Sequence, residues 1–247
     1  MKVTLSAHGL QRVVTTGRTE INILRGCDLE LQGGGLTSVV GHSGSGKSSL
    51  LMCLSGLDEP TSGMVMINGR DIYRQSPSKR AHMLRSEMGF VFQQYNLVPF
   101  LTVEENIALP FQLDHKPVPH DMISALIESF GLAHRRRASA HSLSGGEQQR
   151  TALCRALARR PGIVFADEPT GALDSQSTQI ALGTLRRMAD EGQMIVMVTH
   201  DLDAAALADR IVIMHDGHTV KHLGRSTSQE LLRIMSNLKA WMPCSAT

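Results

Sequence analysis

Apolar residues change their spacing several times along the chain, and each change predicts an element. β-Branched and aliphatic runs at residues 2–5, 27–31 and 64–67, the last followed by Asn68-Gly69, predict strands of a small antiparallel sheet. Residues 36–40, Leu-Thr-Ser-Val-Val, predict a buried strand that runs into a glycine-rich turn and then into a helix over 48–57. Later apolar runs at 163–166, 194–198 and 210–214 alternate with helical segments at 175–191 and 201–208. That alternation is the pattern of a mainly parallel α/β sheet. Between 93 and 160 the strand signal fades: Thr102 and Glu105 form a T-x-x-E capping box, and 119–133 is helically periodic. The expectation is one α/β domain over 1–224, its core and antiparallel subdomain made of 1–92 and 161–224, with an α-helical insert at 93–160. Residues 225–247 form a tail with one predicted helix at 228–238.

The 247 residues are 42% hydrophobic and 19% charged, enough apolar side chain for a large core and too little charge for disorder. Lys and Arg number 25 against 23 Asp and Glu, a net charge of +2, so nucleic acid is not an expected partner and Arg135-Arg136-Arg137 reads as a solvated loop. Cys27, Cys53, Cys154 and Cys244 show neither C-x-x-C nor zinc spacing, which fits a reduced, cytoplasmic chain. No run approaches the ~20 apolar residues that span a bilayer, and the opening residues lack a signal-peptide core. No direct membrane insertion is expected.

Chemistry enters with Gly41-His42-Ser43-Gly44-Ser45-Gly46-Lys47-Ser48, followed by Ser49, which matches G-x-x-x-x-G-K-[ST] between a predicted strand and a predicted helix. Glycines let successive backbone N–H groups turn inward around a polyphosphate, and the helix N-terminus adds its positive end. Lys47 would reach the β and γ phosphates and Ser48 would ligate Mg2+. A second run, Ile163-Val164-Phe165-Ala166-Asp167-Glu168, is an apolar strand ending in two carboxylates. Such a strand end is common by itself. Beside a phosphate loop, Asp167 reads as part of the Mg2+ shell, directly or through water, and Glu168 as the general base for an attacking water. A third string is Leu143-Ser144-Gly145-Gly146-Glu147-Gln148-Gln149-Arg150. Ser144 and Glu147 make an S-x-x-E capping box, and Gly145 and Gly146 open the first turn, a second anion-ready helix end.

The third string closely resembles the signature of the ATP-binding cassette (ABC) ATPases, and the resemblance runs over about residues 2–222. It implies the ABC ATPase fold, a P-loop core with an antiparallel β subdomain and a helical subdomain, using ATP and Mg2+. It also implies a head-to-tail dimer in which residues 144–147 meet the γ-phosphate held by the other copy. Gln93, after Gly89-Phe90-Val91-Phe92, stands at the family's Q-loop, where the amide touches Mg2+ and the attacking water and links the core to the insert. Ala172-Leu173-Asp174 matches the D-loop at the dimer interface, and His200 the switch histidine that contacts the γ-phosphate.

Two further strings, FQQYNLVPFLTVEENIALPF from Phe92 and ADEPTGALDS from Ala166, are similar to the lipoprotein-release and macrolide-export branch. That branch implies ATP hydrolysis powering integral membrane permease subunits, with this chain peripheral on the inner face of the cell membrane. A single cassette without sustained heptads sets aside translation factors and DNA-repair ATPases of the family. A P-loop kinase would leave the third string unexplained. A membrane signalling or cell-envelope complex that moves no substrate remains the alternative. The family usually stacks adenine on an aromatic residue upstream of the phosphate loop, whereas residues 11–15, Gln-Arg-Val-Val-Thr, contain none.

Overall fold

The computed structural model describes residues 3–17, 19–171 and 174–238. A long hairpin opens it, β1 (Thr4–Thr16) antiparallel to β2 (Thr19–Gln32). Leu5, Ala7 and Leu10 of β1 are buried, while beyond them Arg12, Val13 and Val14 are half-buried and Thr15 and Thr16 exposed. β3 (Gly35–Gly41) follows and is buried at every position. Then come α1 (Lys47–Ser55), β4 (Ser62–Ile67), the two-residue β5 (Arg70–Asp71), α2 (Pro77–Glu87) and β6 (Met88–Val91). Residues 93–160 hold α3 (Val103–Leu113), α4 (His120–Ser129) and α5 (Gly145–Leu157) and contribute to neither sheet. The chain continues through β7 (Ile163–Asp167), α6 (Ser175–Asp190), β8 (Met194–Thr199), α7 (Leu202–Ala205), β9 (Arg210–His215), β10 (His218–Leu223) and α8 (Ser228–Asn237).

Two sheets result. One is antiparallel with order β2-β1-β4-β5, and the other has order β10-β9-β3-β8-β7-β6, parallel except for β10. Burial on both faces explains why β7 and β8 read as nearly continuous apolar runs rather than alternating ones, while β3, buried at every position, carries Thr37 and Ser38 in its middle. One face of the larger sheet packs Val39, Phe165, Val196 and Val212 against α1 and the antiparallel sheet. The opposite face packs Val40, Val164, Ile195 and Ile213 against α5, α6 and the inserted helices. The turn between β9 and β10 ties the sheets together, Gly217 O accepting from Arg25 N at 2.8 Å and from Cys27 Sγ at 3.0 Å.

Several expected elements are longer, shorter or additional. The opening strand runs to Thr16 instead of residue 5, because its outer half is held by hairpin pairing with β2 rather than by an apolar face. The helix expected at 201–208 is the single turn Leu202–Ala205, capped by Asp201, whose Oδ1 accepts from Asp203 N and Ala204 N. α2 and β10 appear without a periodic signal: α2 buries only Met83, and β10 is an edge strand with no fully buried residue. The expected tail helix is α8, which buries Leu231 and Met235, and Arg225 before it pairs with Asp209 at 2.6 Å. Cys27, Cys53 and Cys154 are unpaired and buried, and Cys244 lies outside the described residues.

Candidate functional site

Four adjacent parallel strands, β3, β8, β7 and β6, end on the same edge of the larger sheet. Ligands of open α/β sheets bind at the carboxyl ends of the strands. Here β3 runs into the loop 42–46, β8 ends one residue before His200, β7 ends at Asp167 with Glu168 next, and β6 ends two residues before Gln93. The sheet therefore carries the sequence-predicted groups of the core side by side.

The loop after β3 leads into α1 without a side-chain cap. Its N-cap is Gly46, at φ 94°, where a Cβ would lie 2.8 Å from Ile23 O of β2. Only glycine both turns there and lets β2 approach so closely. The first N–H groups of α1 thus have no side-chain partner and lie in the field of the helix dipole. Lys47 is only 8% exposed, and its Nζ donates to Gly41 O at 2.9 Å and His42 O at 3.0 Å, which fixes the ammonium inside the loop. Burial lowers its pKa, and the nearby Glu168 and Asp167 offset that in part. Ser45 Oγ is buried with no hydrogen-bond partner among the described residues, and Ser45 N donates to His42 O.

Asp167 closes the site from β7. Its Oδ1 accepts from Ser48 Oγ at 2.9 Å, and burial pushes its carboxyl pKa up despite that bond and Lys47. Glu168 has φ 45°, a left-handed conformation that side chains seldom adopt, and its N–H donates to Val198 O at 2.9 Å. The turn lays its carboxylate against His200, with Oε1 2.9 Å from Nδ1 and Oε2 accepting from the His200 backbone N–H at 3.4 Å. Gln93 is exposed, and its Nε2 lies beside Gly171, three residues past Glu168.

α5 begins differently. Ser144 Oγ accepts from Glu147 N at 3.3 Å and Glu147 Oε2 accepts from Ser144 N at 2.8 Å, a complete capping box. Burial works against the Glu147 charge, but Ser144 and Arg135, whose Nε donates at 2.9 Å, hold the carboxyl down at about 2. At Gly146 a Cβ would lie 2.7 Å from Ser177 Oγ, and at Gly145 the nearest atom would be Tyr95 Oη at 3.3 Å. Asp174 caps α6, accepting from Ser177 N at 2.9 Å and from Ser177 Oγ at 2.8 Å, and Arg150 Nη1 donates to the same Ser177 Oγ. Its two partners in the expected D-loop, Ala172 and Leu173, lie outside the described residues. Among the described residues, no hydrogen bond or ion pair joins residues 144–147 to the loop 41–48.

Sequence reading missed two contributors. Gln149 Nε2 donates to Pro169 O, tying α5 to the turn beyond Glu168. Asn106, fully buried, exchanges hydrogen bonds with Val98 and also holds the carbonyls of Leu101 and Thr102, fixing the loop between Gln93 and α3. A groove of about 280 Å3 also runs along the end of β6 between α2, α3 and α5, lined by Phe90, Phe92, Leu109 and Leu113 with Arg85 and Arg159. The family resemblance implies a groove around Gln93 and the helical insert, but not its lining, because its walls come from four separate elements. The upstream hairpin matches its sequence in lacking an aromatic: Val13 pairs with Asn22 and Val14 with Ile21, and the first Phe, Tyr or Trp of the chain is Tyr73.

The chain is similar to known proteins. The macrolide export ATP-binding/permease protein MacB of Bdellovibrio bacteriovorus is 37% identical over 85% of this chain and 32% of its own. The pyoverdine export ATP-binding/permease protein PvdT of Pseudomonas aeruginosa is 40% identical over 83% of this chain and 31% of its own. The chain thus spans about a third of the length of these curated relatives. Among solved structures, the dimer of the ATP-binding cassette MJ0796 in a post-hydrolysis state with ADP and Pi has a TM-score of 0.84 at 31% identity, covering 90% of this chain and 99% of that one. A further dimeric structure of MJ0796, a bacterial ABC transporter cassette, has a TM-score of 0.85 at 32% identity over the same shares. The ABC transporter family pattern matches residues 24–171, and the chain belongs to that family as an ATP-binding cassette.

Proposed function

We propose that the chain binds and hydrolyses ATP with Mg2+, pairs head to tail with a second copy, and powers separate membrane permease subunits of an export or mechanotransmitting system. The carrying observation is that one sheet edge gathers an uncapped helix end, Lys47, Asp167, Glu168 and His200, while a second glycine-opened helix end makes no hydrogen bond or ion pair to the phosphate loop among the described residues. A second copy would complete the site.

In this reading the α1 N–H groups and Lys47 hold the β and γ phosphates, with residues 41–49 as the cradle. Ser48 and Asp167 present oxygen atoms 2.9 Å apart, hard donors of the kind Mg2+ takes. Ser48 and Asp167 would hold Mg2+, and since no group of three His, Cys, Asp or Glu among the described residues could hold a metal by itself, bound phosphates would supply further oxygen donors. Bound there, Mg2+ supplies neutralisation of phosphate charge. Glu168 accepts the proton of the attacking water, and its hydrogen bond to His200 aims the carboxylate. Gln93 reaches the same water from the β6 end and relays its presence to the inserted helices at 93–160. Residues 144–147 of the other copy and Asp174 close over the γ-phosphate from the far side. The groove beside β6 seats the membrane partner, which keeps the chain on the inner face of the membrane without insertion; among the described residues no helix is long and apolar enough to cross one.

Glu168→Gln tests the assignment, because the amide keeps the shape and cannot take a proton. The variant is expected to retain ATP binding and form an ATP-dependent dimer by size exclusion while hydrolysis falls by roughly 10^2 to 10^4. Undiminished hydrolysis would overturn the assignment.

A further inference from the structure

Of the run Arg135-Arg136-Arg137, expected as a solvated loop, Arg137 is exposed, but the other two are held by carboxylates. Arg135 ends a short 3-10 turn, Ala133–Arg135, that precedes α5. Arg136 anchors that turn. Its Nε and Nη2 donate to the Glu104 carboxylate of α3 at 2.8 and 2.6 Å, and Nη2 also donates to Ser124 Oγ of α4 at 2.8 Å. Arg135 is thereby set against α5, where its Nε donates to Glu147 Oε1 at 2.9 Å, and His134 Nε2 stands 3.5 Å from the same oxygen. Glu147 is 7% exposed, and with its carboxyl held at about 2 it is charged at neutral pH. Asp174 and Arg150, which flank Gly146, meet on Ser177 Oγ and offset each other. The charge of Glu147 is left to Arg135.

An anion in that place works against the task proposed for the turn. A helix N-terminus carries roughly half a positive elementary charge, and the Glu147 carboxylate sets a full negative one in the first turn of α5. Uncompensated, the end that is to receive a γ-phosphate would repel it. Arg135 returns the local sign to positive. We propose that Arg135 is a positioning residue for hydrolysis that acts through Glu147, cancelling its charge so that the glycine-opened end of α5 attracts the γ-phosphate bound by the other copy. The cap itself does not require this arginine, because the exchange between Ser144 and Glu147 is complete without it. The proposal rests on the head-to-tail reading and adds to it a side chain, outside the glycine turn, on which closure depends.

Phosphate release and ATP binding, measured on Arg135→Gln, Arg135→Lys, Gly145→Asp and the double variant Arg135→Gln with Glu147→Gln, test this. Arg135→Gln is expected to lower kcat roughly tenfold while nucleotide binding by the monomer, which also reports folding, stays at the parent value. Arg135→Lys keeps the charge without the planar fork and should remain within about twofold of the parent. The double variant lacks both the cation and the anion it offsets, so its rate should rise roughly fivefold or more above that of Arg135→Gln. Raising salt from about 0.05 to about 0.5 M should shrink the deficit of Arg135→Gln relative to the parent, since charge effects at the surface are screened. A purely structural arginine predicts the reverse order, because the double variant has lost more of the bonds that order the turn. Arg135→Gln at the parent's rate, Arg135→Lys as slow as Arg135→Gln, or a deficit that Glu147→Gln does not relieve would each overturn the proposal. Normal hydrolysis by Gly145→Asp would instead sink the head-to-tail reading itself, whereas a slow Gly145→Asp beside a normal Arg135→Gln removes the role of Arg135 alone.

Discussion

The N-termini of α1 and α5 are both glycine-flanked, yet they are built in opposite ways. α1 starts from Gly46 with no side-chain cap and a cation, Lys47, drawn into its loop. α5 starts from Ser144 with both halves of a capping box made, and with a carboxylate, Glu147, locked beside it by Arg135. The first end has no side-chain cap and is electropositive, which suits an anion. The second is already stable and offers its glycine-opened turn as a surface. The difference fits the division of labour proposed above, in which α1 supplies the binding energy for phosphate and α5 is the surface a second copy presents over it.

Removing the cation should break the first end. Lys47→Ala is expected to weaken ATP binding about a hundredfold or more and to abolish turnover, as measured by titration with a fluorescent ATP analogue and by phosphate release. The same measurements on Gly145→Asp should separate the two ends. Nucleotide binding by the monomer should stay near the parent value while hydrolysis falls roughly a hundredfold, because a carboxylate then sits where a partner's γ-phosphate is to be received. Val14→Tyr sharpens the first end instead. Base stacking is worth roughly 1 to 3 kcal/mol, so KM for ATP should fall about tenfold with kcat little changed, and the parent should discriminate ATP from GTP weakly. Val13→Tyr belongs beside it, since the β1–β2 register shifts between Arg12 and Val13.

The smallest effect tests the cap. Glu147→Gln should cost about 1 kcal/mol of stability at neutral pH, through the lost charged hydrogen bonds. The Glu147 carboxyl lies at about 2 in the fold against an ordinary 4.5, so its stabilisation is complete above pH 4.5 and is lost as pH falls toward 2. Melting curves of the two proteins should therefore converge on the acid side.

Much of this was legible because local rules and global fold agree. The phosphate loop declared itself through Gly41, Gly46 and Lys47, and the strands β7 and β8 through nearly continuous apolar runs. Asp167, Glu168 and His200 were readable as strand-end residues, and the sheet order brings them together. The capping boxes of α3 and α5 were read from T-x-x-E and S-x-x-E, while the same signal at Thr227 and Glu230 went unused. α2 was missed because it buries a single residue, though Ser76-Pro77 is a cap followed by proline at the first helical position. The ion pairs that join Arg85 and Arg159 to Asp114 beside the groove were illegible for a different reason. Arg85, Asp114 and Arg159 are separated by 29 and 45 residues and meet only through packing.

The central claim, that the two helix ends meet across two copies, is tested most directly by mixing lesions. In a Glu168→Gln background, which traps bound ATP, one preparation carries Lys47→Ala and the other Gly145→Asp. Paired head to tail, the heterodimer holds both lesions in one composite site and neither in the other. Size exclusion with ATP should show each variant alone as a monomer and the mixture as a dimer with one trapped nucleotide per pair. A Gly145→Asp variant that dimerises like its parent, or a mixture that stays monomeric, would contradict the account.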